Sequence, residues 1–489
     1  MSVVCKLVRD GSDLVDFQDG SSSFQLANNG WRPQVATLRD GVAHPVIETL
    51  RVRAEGSSHD NLAVQLQDLA NAQYWADVYR YHPTIEEPVW FHAKMDNETG
   101  TRRALVRSIE WAWESTYFGP EANEDQALLT ITIERAPFWE DTAGLDLPSD
   151  TPTAGVSVLY DYTNSGASHI EGDVPARIRM LQVDAHSGDN LGRLWMGFRT
   201  DDWYEDASDF EPVWELEAGT TDTDAAKAQD ATASDETTET PTDYQKITVS
   251  STATFDSWSE AVYVKVGDIT TEQSEQYGLM LWLLRYKVAS GTWYVQLRYG
   301  YEGVDDADLV EGPVLELTST SWDLIEAGQY RVPGRDLQAF DRGGTFNENR
   351  DSPWAVHVFC KRANDSAGEL YLDCLCPIPL DEGWLTATFD DVDDTHCFLV
   401  AQAPTGRIDA QVYDKASETF EAIPELAYDL VGLPVSDKTN AADDDSTGYI
   451  VIAYARAASS DITDQIDIND RNFTDLETYA RWISLRGAE

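Results

Sequence analysis

The chain has 489 residues, too many for a single hydrophobic core, so we expect several domains. Its 87 acidic and 35 basic side chains give a formal net charge of −52. A field of this sign repels phosphate and argues against DNA or RNA as a partner. It suits either a protein that works in high salt, where charges are screened, or a surface particle whose copies repel one another.

Hydropathy and cysteine content indicate in which cellular compartment the protein is made. No stretch reaches about 18 consecutive apolar residues, and the start, MSVVCKLVRDGSDLVDF, shows no signal-peptide pattern. Five scattered cysteines are too few for a disulfide framework. We therefore expect a soluble protein that is made in the cytoplasm and does not insert into a membrane. The 16 Trp and 21 Tyr, among abundant Thr and Val, favour a mainly β fold.

Residues 1–142 are predicted to form the first domain. Short strands separated by Asp-Gly turns occupy residues 1–43, and an alternating strand follows at 46–54. After a small polar break we predict a helix from about Asp60 to Arg80, because leucine and alanine recur there at three- and four-residue steps. One of the small polar residues at 57–60 is expected to cap this helix.

Three further strands are predicted in this domain, at 88–95, 101–115 and 126–140. Side chains of residues 126–134 alternate strictly between two faces. One face is expected to be buried under the helix. The other face is available to a neighbour, and it carries Leu128, Thr130, Thr132 and Glu134.

A Pro/Thr/Asp linker at 142–153 separates this domain from a second one at 154–390. Many strands of similar length without helices between them predict an antiparallel jelly-roll β-sandwich. Two strand pairs are predicted to be joined by tight turns, one at 289–291 and one at 364–368. Residues 217–243 are acidic and lack hydrophobic periodicity, so we expect a long exposed loop there.

Residues 391–489 form a β-rich C-terminal region, which is either part of the sandwich or a small domain of its own. Strand patterns occupy 397–404, 407–414 and 448–457. A terminal helix is predicted from Thr474 to Leu485.

Catalytic motifs are absent from the sequence, and we expect no enzyme. A glycosidase needs two carboxyl groups that face one cleft, and Glu215 with Glu217 is the nearest approach to such a pattern. The sequence has no nucleophile elbow, phosphate-binding loop or metalloprotease motif. The eight histidines are isolated from one another, which argues against a zinc enzyme.

A structural zinc site is one alternative to a chain without cofactors. Cys374 and Cys376 point to the same side of a strand, and Cys360 is expected on the strand paired with it. These sulfurs would need a fourth ligand, from Cys397 or His396. Buried core thiols explain the same pattern without a metal.

Calcium is the second alternative. The acidic runs at 390–394 and 443–445 offer oxygen ligands, but neither has the spaced ligands and central glycine of a calcium loop. Acidic runs also arise by chance in a chain this acidic. No cofactor is therefore expected.

Aromatic side chains near the loops of the sandwich are the better ligand candidates. Flat aromatic faces beside polar groups bind sugars, and core aromatics have the same appearance in a sequence. These residues support an alternative function, a carbohydrate- or receptor-binding module that recognises a host-surface glycan. The candidates are Trp203, Tyr204, Trp258, Trp293, Tyr294 and Trp322.

The stretch VIETLRVRAEGSSHDNLAVQLQDLANAQYWADVY, followed by PVWFHAKMD and LLTITIERAPFWED, resembles the N-terminal domain of tailed-phage distal tail and related minor tail proteins. In that family a strand leads through a small polar turn into a helix, and a later strand ends in a phrase like Glu134–Trp139. The segments VPARIRMLQV, RLWMGFR and YLDCLCPIPLDEGW resemble the jelly-roll domain that often follows. The resemblance covers about residues 1–385, with residues 217–243 as a departure.

The resemblance implies a structural protein of the virion tail that is assembled in the host cytoplasm. Its N-terminal, tail-tube-like domain would form a homo-oligomeric ring, commonly hexameric, that contacts the tail tube and the tail-tip hub proteins, with the sandwich pointing outward. A closed ring joins the same two different patches at every junction. The candidate ring contacts are Trp111, Trp113, Leu128, Thr130, Thr132 and Glu134.

Overall fold

The computed structural model describes residues 4–17, 24–27, 30–39, 42–82, 86–95, 100–114, 126–147, 158–159, 174–185, 191–200, 214–216, 227–230, 244–249, 255, 257–265, 278–301, 308–320, 323–332, 354–363, 367–381, 383–393, 395–429, 449–457, 471–482 and 485. These residues form a mainly β fold with antiparallel sheets and one helix, which confirms the predicted fold class. Within them, no helix has the length and apolar character needed to span a bilayer.

The N-terminal unit contains eleven strands and the helix within the described residues. They are β1 (Val4–Arg9), β2 (Ser12–Asp16), β3 (Phe24–Leu26), β4 (Leu38–Arg39), β5 (Val42–Ala43), β6 (Val46–Glu55), α1 (His59–Tyr81), β7 (Val89–Lys94), β8 (Arg102–Trp113), β9 (Gln126–Arg135), β10 (Trp139–Asp141) and β11 (Leu145–Leu147).

Helix α1 confirms the prediction made from its leucine spacing. The side chain of Ser58 accepts a hydrogen bond from the backbone N–H of Asn61 and caps the helix. Asp60 lies in the first turn and Arg80 in the last, so both charges complement the helix dipole. The buried stripe of the helix is formed by Leu62, Leu69, Ala72 and Ala76.

The helix packs mainly against β8 and β2, and less extensively against β7 and β6; β8 and β6 lie on either side of β9 in a sheet with the order β6–β9–β8. Alternate residues of β6 and β9 are buried, as the period of two in their sequences predicts. Leu50, Leu129 and Ile131 share a core with the helix. The first half of β8 continues into β7, β1 and β2, so β8 joins two arms of the unit.

The described strands of the second part of the chain are β12 (Val158–Leu159), β13 (Val174–Ala185), β14 (Leu191–Thr200), β15 (Trp214–Glu215), β16 (Lys227–Asp230), β17 (Tyr244–Val249), β18 (Ser259–Lys265), β19 (Gly278–Ser290), β20 (Trp293–Tyr301), β21 (Val310–Leu317), β22 (Asp323–Val332), β23 (Trp354–Arg362), β24 (Gly368–Pro379) and β25 (Trp384–Val392).

Strands β15 to β24 build an antiparallel sandwich, whereas β12, β14 and β25 belong to a separate five-stranded sheet and β13 belongs to the large sheet of the N-terminal unit. One sheet has the order β16–β17–β24–β19–β22, and the facing sheet has the order β18–β23–β20–β21. Strand β24 is buried along most of its length because β14 covers its other side. Gly197 of β14 lies so close to this strand that a Cβ atom there would stand 2.3 Å from the carbonyl oxygen of Pro379.

Both predicted hairpins of the sandwich are wrong. Strand β19 pairs with β22 and β24, whereas β20 pairs with β21 and β23 in the facing sheet. The turn at Gly291, with φ +85°, therefore carries the chain from one sheet to the other. Strands β23 and β24 are split between the sheets in the same way, and the N–H of Ala363 bonds to the carbonyl of Thr292 beside the first crossing.

The last strands are β26 (His396–Gln402), β27 (Ile408–Asp414), β28 (Thr419–Glu421), β29 (Glu425–Asp429), β30 (Tyr449–Ala457) and β31 (Arg471–Trp482). The predicted helix from Thr474 to Leu485 is wrong, because β31 pairs with β13 on one side and with β10 and β11 on the other. One continuous sheet therefore runs from the N-terminal unit through β31 and β13 to β26, β27 and β28.

Two segments predicted to lack regular structure contain short strands. Residues 145–147 of the linker form β11, which pairs with β31. Residues 227–230 of the acidic segment form β16, which pairs with β17. The other residues of 217–243 lie outside the described part of the chain.

Candidate functional site

The segment at residues 134–139 takes part in a buried cluster of the N-terminal unit, which we call the clamp and which contains Arg135, Trp139, Glu48 and Trp31. Arg135 is fully buried, and its Nε donates to Oε1 of Glu48 over 2.9 Å. Its remaining nitrogens donate to the carbonyl oxygens of Gln34, Ala136 and Pro137. The guanidinium therefore ties a strand end to the irregular segment at 30–37.

The carboxylate and aromatic partners complete this clamp. Oε2 of Glu48 accepts from the indole N–H of Trp31 over 2.9 Å, and the backbone N–H of Gln34 also donates to this carboxylate. Trp139 stacks under the Arg135 guanidinium, with 4.2 Å between the Cζ atom and the ring centroid. These contacts give the segment at residues 134–139 a structural role.

The predicted ring contacts fall on two opposite faces of one sheet. Trp111 and Trp113 lie directly opposite Ile131 and Leu129 of β9, which point to the helix. Directly opposed residues share a face, so both tryptophans lie on the helix side. The other four candidates point away from the helix; they are Leu128, Thr130, Thr132 and Glu134, and all are partly exposed.

The helix-side patch is aromatic and half open to solvent. Trp113 is 50% exposed, whereas Trp111 packs against the core. Their rings meet edge to face, with centroids 6.4 Å apart.

The outward face of β6, β9 and β8 is polar, and its charges are paired. Nε of Arg51 donates to Glu114 over 2.7 Å, and the hydroxyl of Thr130 donates to the same carboxylate. Ile47 stands out as an apolar side chain that is 61% exposed. Within the described residues, no strand pairs with residues 46–50 on the side away from β9.

The aromatic ligand candidates are placed unevenly. Trp203, Tyr204 and Trp322 lie outside the described residues. Trp258 and Tyr294 are partly buried. Trp293 is wrong as a ligand candidate, because it is fully buried and its indole N–H donates to the carbonyl of Ser290 over 3.0 Å.

The cysteines do not form the predicted constellation. The sulfurs of Cys374 and Cys376 are 3.9 Å apart in β24, but Cys360 lies on β23 in the facing sheet and not on a paired strand. All five cysteines are buried and unbridged, and four of them are placed in core clusters with apolar side chains; these four are Cys5, Cys360, Cys374 and Cys376.

A different set of possible metal ligands occurs at the end of β26 and β27. Single ligand atoms of His396, Asp414 and Glu421 lie within 4.8 Å of one another. Asp393 bonds to Nδ1 of His396 over 2.6 Å and raises the pKa of that imidazole, which disfavours the neutral form that binds metals. Asp414 already accepts hydrogen bonds from Ser417. The side chains of 390–391 and residues 443–445 lie outside the described part.

Sequence reasoning missed a buried charge cluster where the N-terminal unit meets the rest of the chain. Oε1 of Glu140 accepts from Nε of Arg103 over 2.9 Å, and both carboxylate oxygens accept from Arg177 over 2.8 Å. Burial alone would raise the pKa of Glu140, but Arg177, Arg103 and Arg481 together lower it. The arginines come from three strands that are distant in sequence, so no local sequence motif predicts the cluster.

Comparisons with known proteins identify no family. No protein-family model matches the sequence, and no curated protein matches it. A chain of the phage p2 baseplate, in its activated conformation with Sr, is 9% identical with a TM-score of 0.23, covering 40% of this chain and 72% of that one. A family 11 carbohydrate-binding module of a Clostridium thermocellum cellulosomal cellulase is 14% identical with a TM-score of 0.19, covering 46% and 96%. Similarity at this level supports no functional conclusion.

Proposed function

We propose that this chain is a structural component of a phage tail tip, in which the N-terminal units of several copies form a ring and the sandwich points outward. The function includes no catalytic step, and the chain resides in the virion after assembly in the host cytoplasm. As in the family that the sequence resembles, the ring would be six-fold and would contact the tail tube and hub. The placement of the predicted contacts on two opposite faces of one sheet is the observation that supports this proposal.

A ring needs two different patches on each copy, placed so that one copy's first patch meets the next copy's second patch. The aromatic patch at Trp111 and Trp113 and the outward patch at Leu128, Thr130 and Thr132 are separated by the thickness of the sheet. Exposed tryptophan is typical of the centre of protein interfaces. The aromatic patch of one copy therefore suits the outward patch of its neighbour.

Charge also favours the outward face as a contact. Copies with a net charge of −52 repel one another, so a stable contact requires a locally balanced surface. On this face Arg51 is paired with Glu114, and Arg53 with Glu55. Arg107 also lies 3.8 Å from Glu134, so positive and negative groups nearly cancel here.

The open edge of β6 adds backbone donors and acceptors to the same contact. Residues 46–50 pair with β9 on one side only, within the described part of the chain. Unpaired strand edges add a strand from a partner when one is presented. Ile47, which is exposed beside this edge, supplies an apolar contact.

Mixing two defective variants tests the two-patch ring. Trp113→Glu breaks the aromatic patch, and Leu128→Glu breaks the outward patch. Each variant alone is expected to stay monomeric in light scattering and negative-stain imaging, whereas the wild type forms rings. An equimolar mixture is expected to form dimers that do not close, because one intact junction remains between the two variants.

Val314→Glu is the matched control, since Val314 is an exposed apolar residue on β21 of the sandwich. This variant should assemble like the wild type. Rings formed by Trp113→Glu alone would refute the proposal. A wild-type protein that is monomeric or trimeric and binds a glycan through the sandwich would favour the alternative function, a carbohydrate- or receptor-binding module.

A further inference from the structure

A cavity of about 100 Å³ lies between the outer face of the N-terminal sheet and the turn that joins β26 to β27. Trp90, Phe138 and Pro404 supply apolar walls, and Glu140 and Arg481 supply the charged groups. The turn at residues 403–407 is held by its own backbone bonds, from Ala403 N–H to the Arg407 carbonyl and from Gly406 N–H to the Ala403 carbonyl.

The charged groups of this cavity belong to one cross-strand row. Arg103 of β8 lies directly opposite Glu140 of β10, and Glu140 lies directly opposite Arg481 of β31. Opposed residues on neighbouring strands point to the same face, so the row presents cation, anion and cation side by side. Arg177 of the adjacent strand β13 adds a third cation to the one carboxylate.

Two of these arginines supply the hydrogen bonds to Glu140. Arg177 donates two hydrogen bonds to Glu140, and Arg103 donates a third. The Cζ atom of Arg103 also lies 4.2 Å from the centroid of the Trp90 ring. Arg177 also donates to the carbonyl of Gln402. These three hydrogen bonds engage both oxygens of Glu140, and none of them comes from the third arginine.

Arg481 is the cation without a carboxylate of its own. Its side chain is only 8% exposed and lines the cavity. Among the described residues none accepts a hydrogen bond from its guanidinium; Glu140 attracts it without a hydrogen bond, and the Phe138 ring centroid lies 6.0 Å from its Cζ atom. Burial lowers the pKa of Arg481 to about 10, so the group remains charged at neutral pH. A buried charge without a hydrogen-bonded counterion is costly, which points to a missing anion.

We propose that this cavity binds a short aliphatic carboxylate, whose two oxygens pair with the Arg481 guanidinium and whose carbon chain lies against Phe138 and Pro404. The planar guanidinium fork matches a carboxylate in two parallel hydrogen bonds. A volume of about 100 Å³ holds about three water molecules, which is the size of acetate or propionate or of an acidic side chain. The carboxylate of Glu140 also lines the cavity, so a singly charged anion suits it better than a phosphate dianion.

The test is a titration of the full-length chain with sodium propionate at constant ionic strength, followed by ligand-observed NMR and thermal shift. Propionamide, which has the same shape without the charge, is the control ligand, and inorganic phosphate is the competing anion. Propionate is expected to bind and to raise the melting temperature, and propionamide is expected not to bind. Tighter binding of phosphate than of propionate would overturn the assignment of the ligand class.

Two variants tie the binding to this cavity. Arg481→Gln should weaken propionate binding at least tenfold, and Arg331→Gln, which changes an exposed arginine of the sandwich, should leave it unchanged. Thr405→Glu should place a tethered carboxylate at the mouth of the cavity and prevent propionate binding in a folded protein. Unchanged binding in both cavity variants would refute the site.

The same reagents distinguish a free acid from an acidic side chain of a neighbouring copy. If the ligand comes from a neighbour, propionate should dissociate oligomers that sodium chloride leaves intact, and Arg481→Gln should not assemble. If the ligand is a free acid, propionate binds and the oligomeric state does not change. A protein that neither binds propionate nor responds to it in assembly would contradict the proposal. Propionate binding does not require ring formation, so this test remains valid if the ring is refuted.

Discussion

Two buried carboxylates in the N-terminal unit differ in the number of arginines that surround them. Glu48 has one arginine, and the nitrogens of Arg135 bond to this carboxylate and to three backbone carbonyls. Glu140 has three arginines around it, and the third has no acceptor among the described residues. The first cluster is closed and balanced, while the second carries an excess of positive charge in a chain whose net charge is −52.

This difference separates a structural ion pair from a recognition site. A closed pair fixes the local fold and offers nothing to a ligand, because its hydrogen-bonding capacity is used. An unbalanced cluster keeps one charged group available, and the surrounding low dielectric strengthens the attraction to an incoming anion. Buried charge alone therefore does not mark a site. A buried charge indicates a binding site when its hydrogen-bonding partners within the protein are too few.

The largest effect on stability is expected from Glu140→Gln. The substitution leaves three arginines around a neutral amide, and we expect a loss of about 5 kcal/mol in the free energy of unfolding, the upper end of the range for broken buried pairs. Chemical denaturation monitored by tryptophan fluorescence measures this loss. A change below about 1 kcal/mol would mean that the cluster is solvated and not buried.

A somewhat smaller loss is expected from Arg135→Met, which keeps the volume of the side chain and removes its charge. Glu48 then keeps only neutral donors, from Trp31 and Gln34, so we expect about 4 kcal/mol of destabilisation. Arg331→Met, at a side chain that is 67% exposed, is the control and should cost at most about 1 kcal/mol. Equal effects at the two arginines would contradict the clamp.

The smallest effect depends on pH and reports mainly the burial of His92, to which the neighbouring Arg103 adds. His92 lies directly opposite Arg103, and burial, followed by Arg103 and Lys6, lowers its pKa to about 4 from an ordinary value of 6.5. The unfolded chain therefore binds a proton between pH 6.5 and 4 that the folded chain does not. Stability is retained above pH 6.5, falls as the pH drops through this window, and the loss is complete below pH 4, reaching about 3 kcal/mol.

The control for this titration is His92→Gln, which cannot take up the proton. The difference between wild-type and variant unfolding free energies should change between pH 6.5 and 4 and stay constant on either side. A difference that is flat across this window would show that His92 titrates normally in the folded protein.

The parts of the fold that the sequence predicts are those with a local cause. Helix α1 follows from leucine spacing and its serine cap, and β6 and β9 follow from strict alternation. The helix predicted at 474–485 fails because apolar residues there recur at helical spacing, whereas pairing on both edges of β31 imposes a strand. The hairpin at 289–291 fails because a tight turn in sequence does not reveal which sheet each strand joins.

The site depends even more on distant parts of the chain. The outward residues of β9 could be read from alternation, but the placement of Trp111 and Trp113 on the other face follows from a register shift between Val106 and Ser108. Nothing local to Arg481 indicates that it meets Glu140, because β10 and β31 are far apart in sequence and share an edge only in the folded sheet. Such contacts are set by topology.

The insertion of β31 between the N-terminal unit and β13 imposes an order in time on the folding of the chain. Until residues 471–482 have left the ribosome, β11 has no partner strand and β10 is paired only with β8, and the core position of Leu485 is empty. A nascent N-terminal unit therefore carries an open strand edge through most of its synthesis. That edge closes only when β31 pairs with β10 and β11, so the sheet of the N-terminal unit is completed late in the folding of the chain.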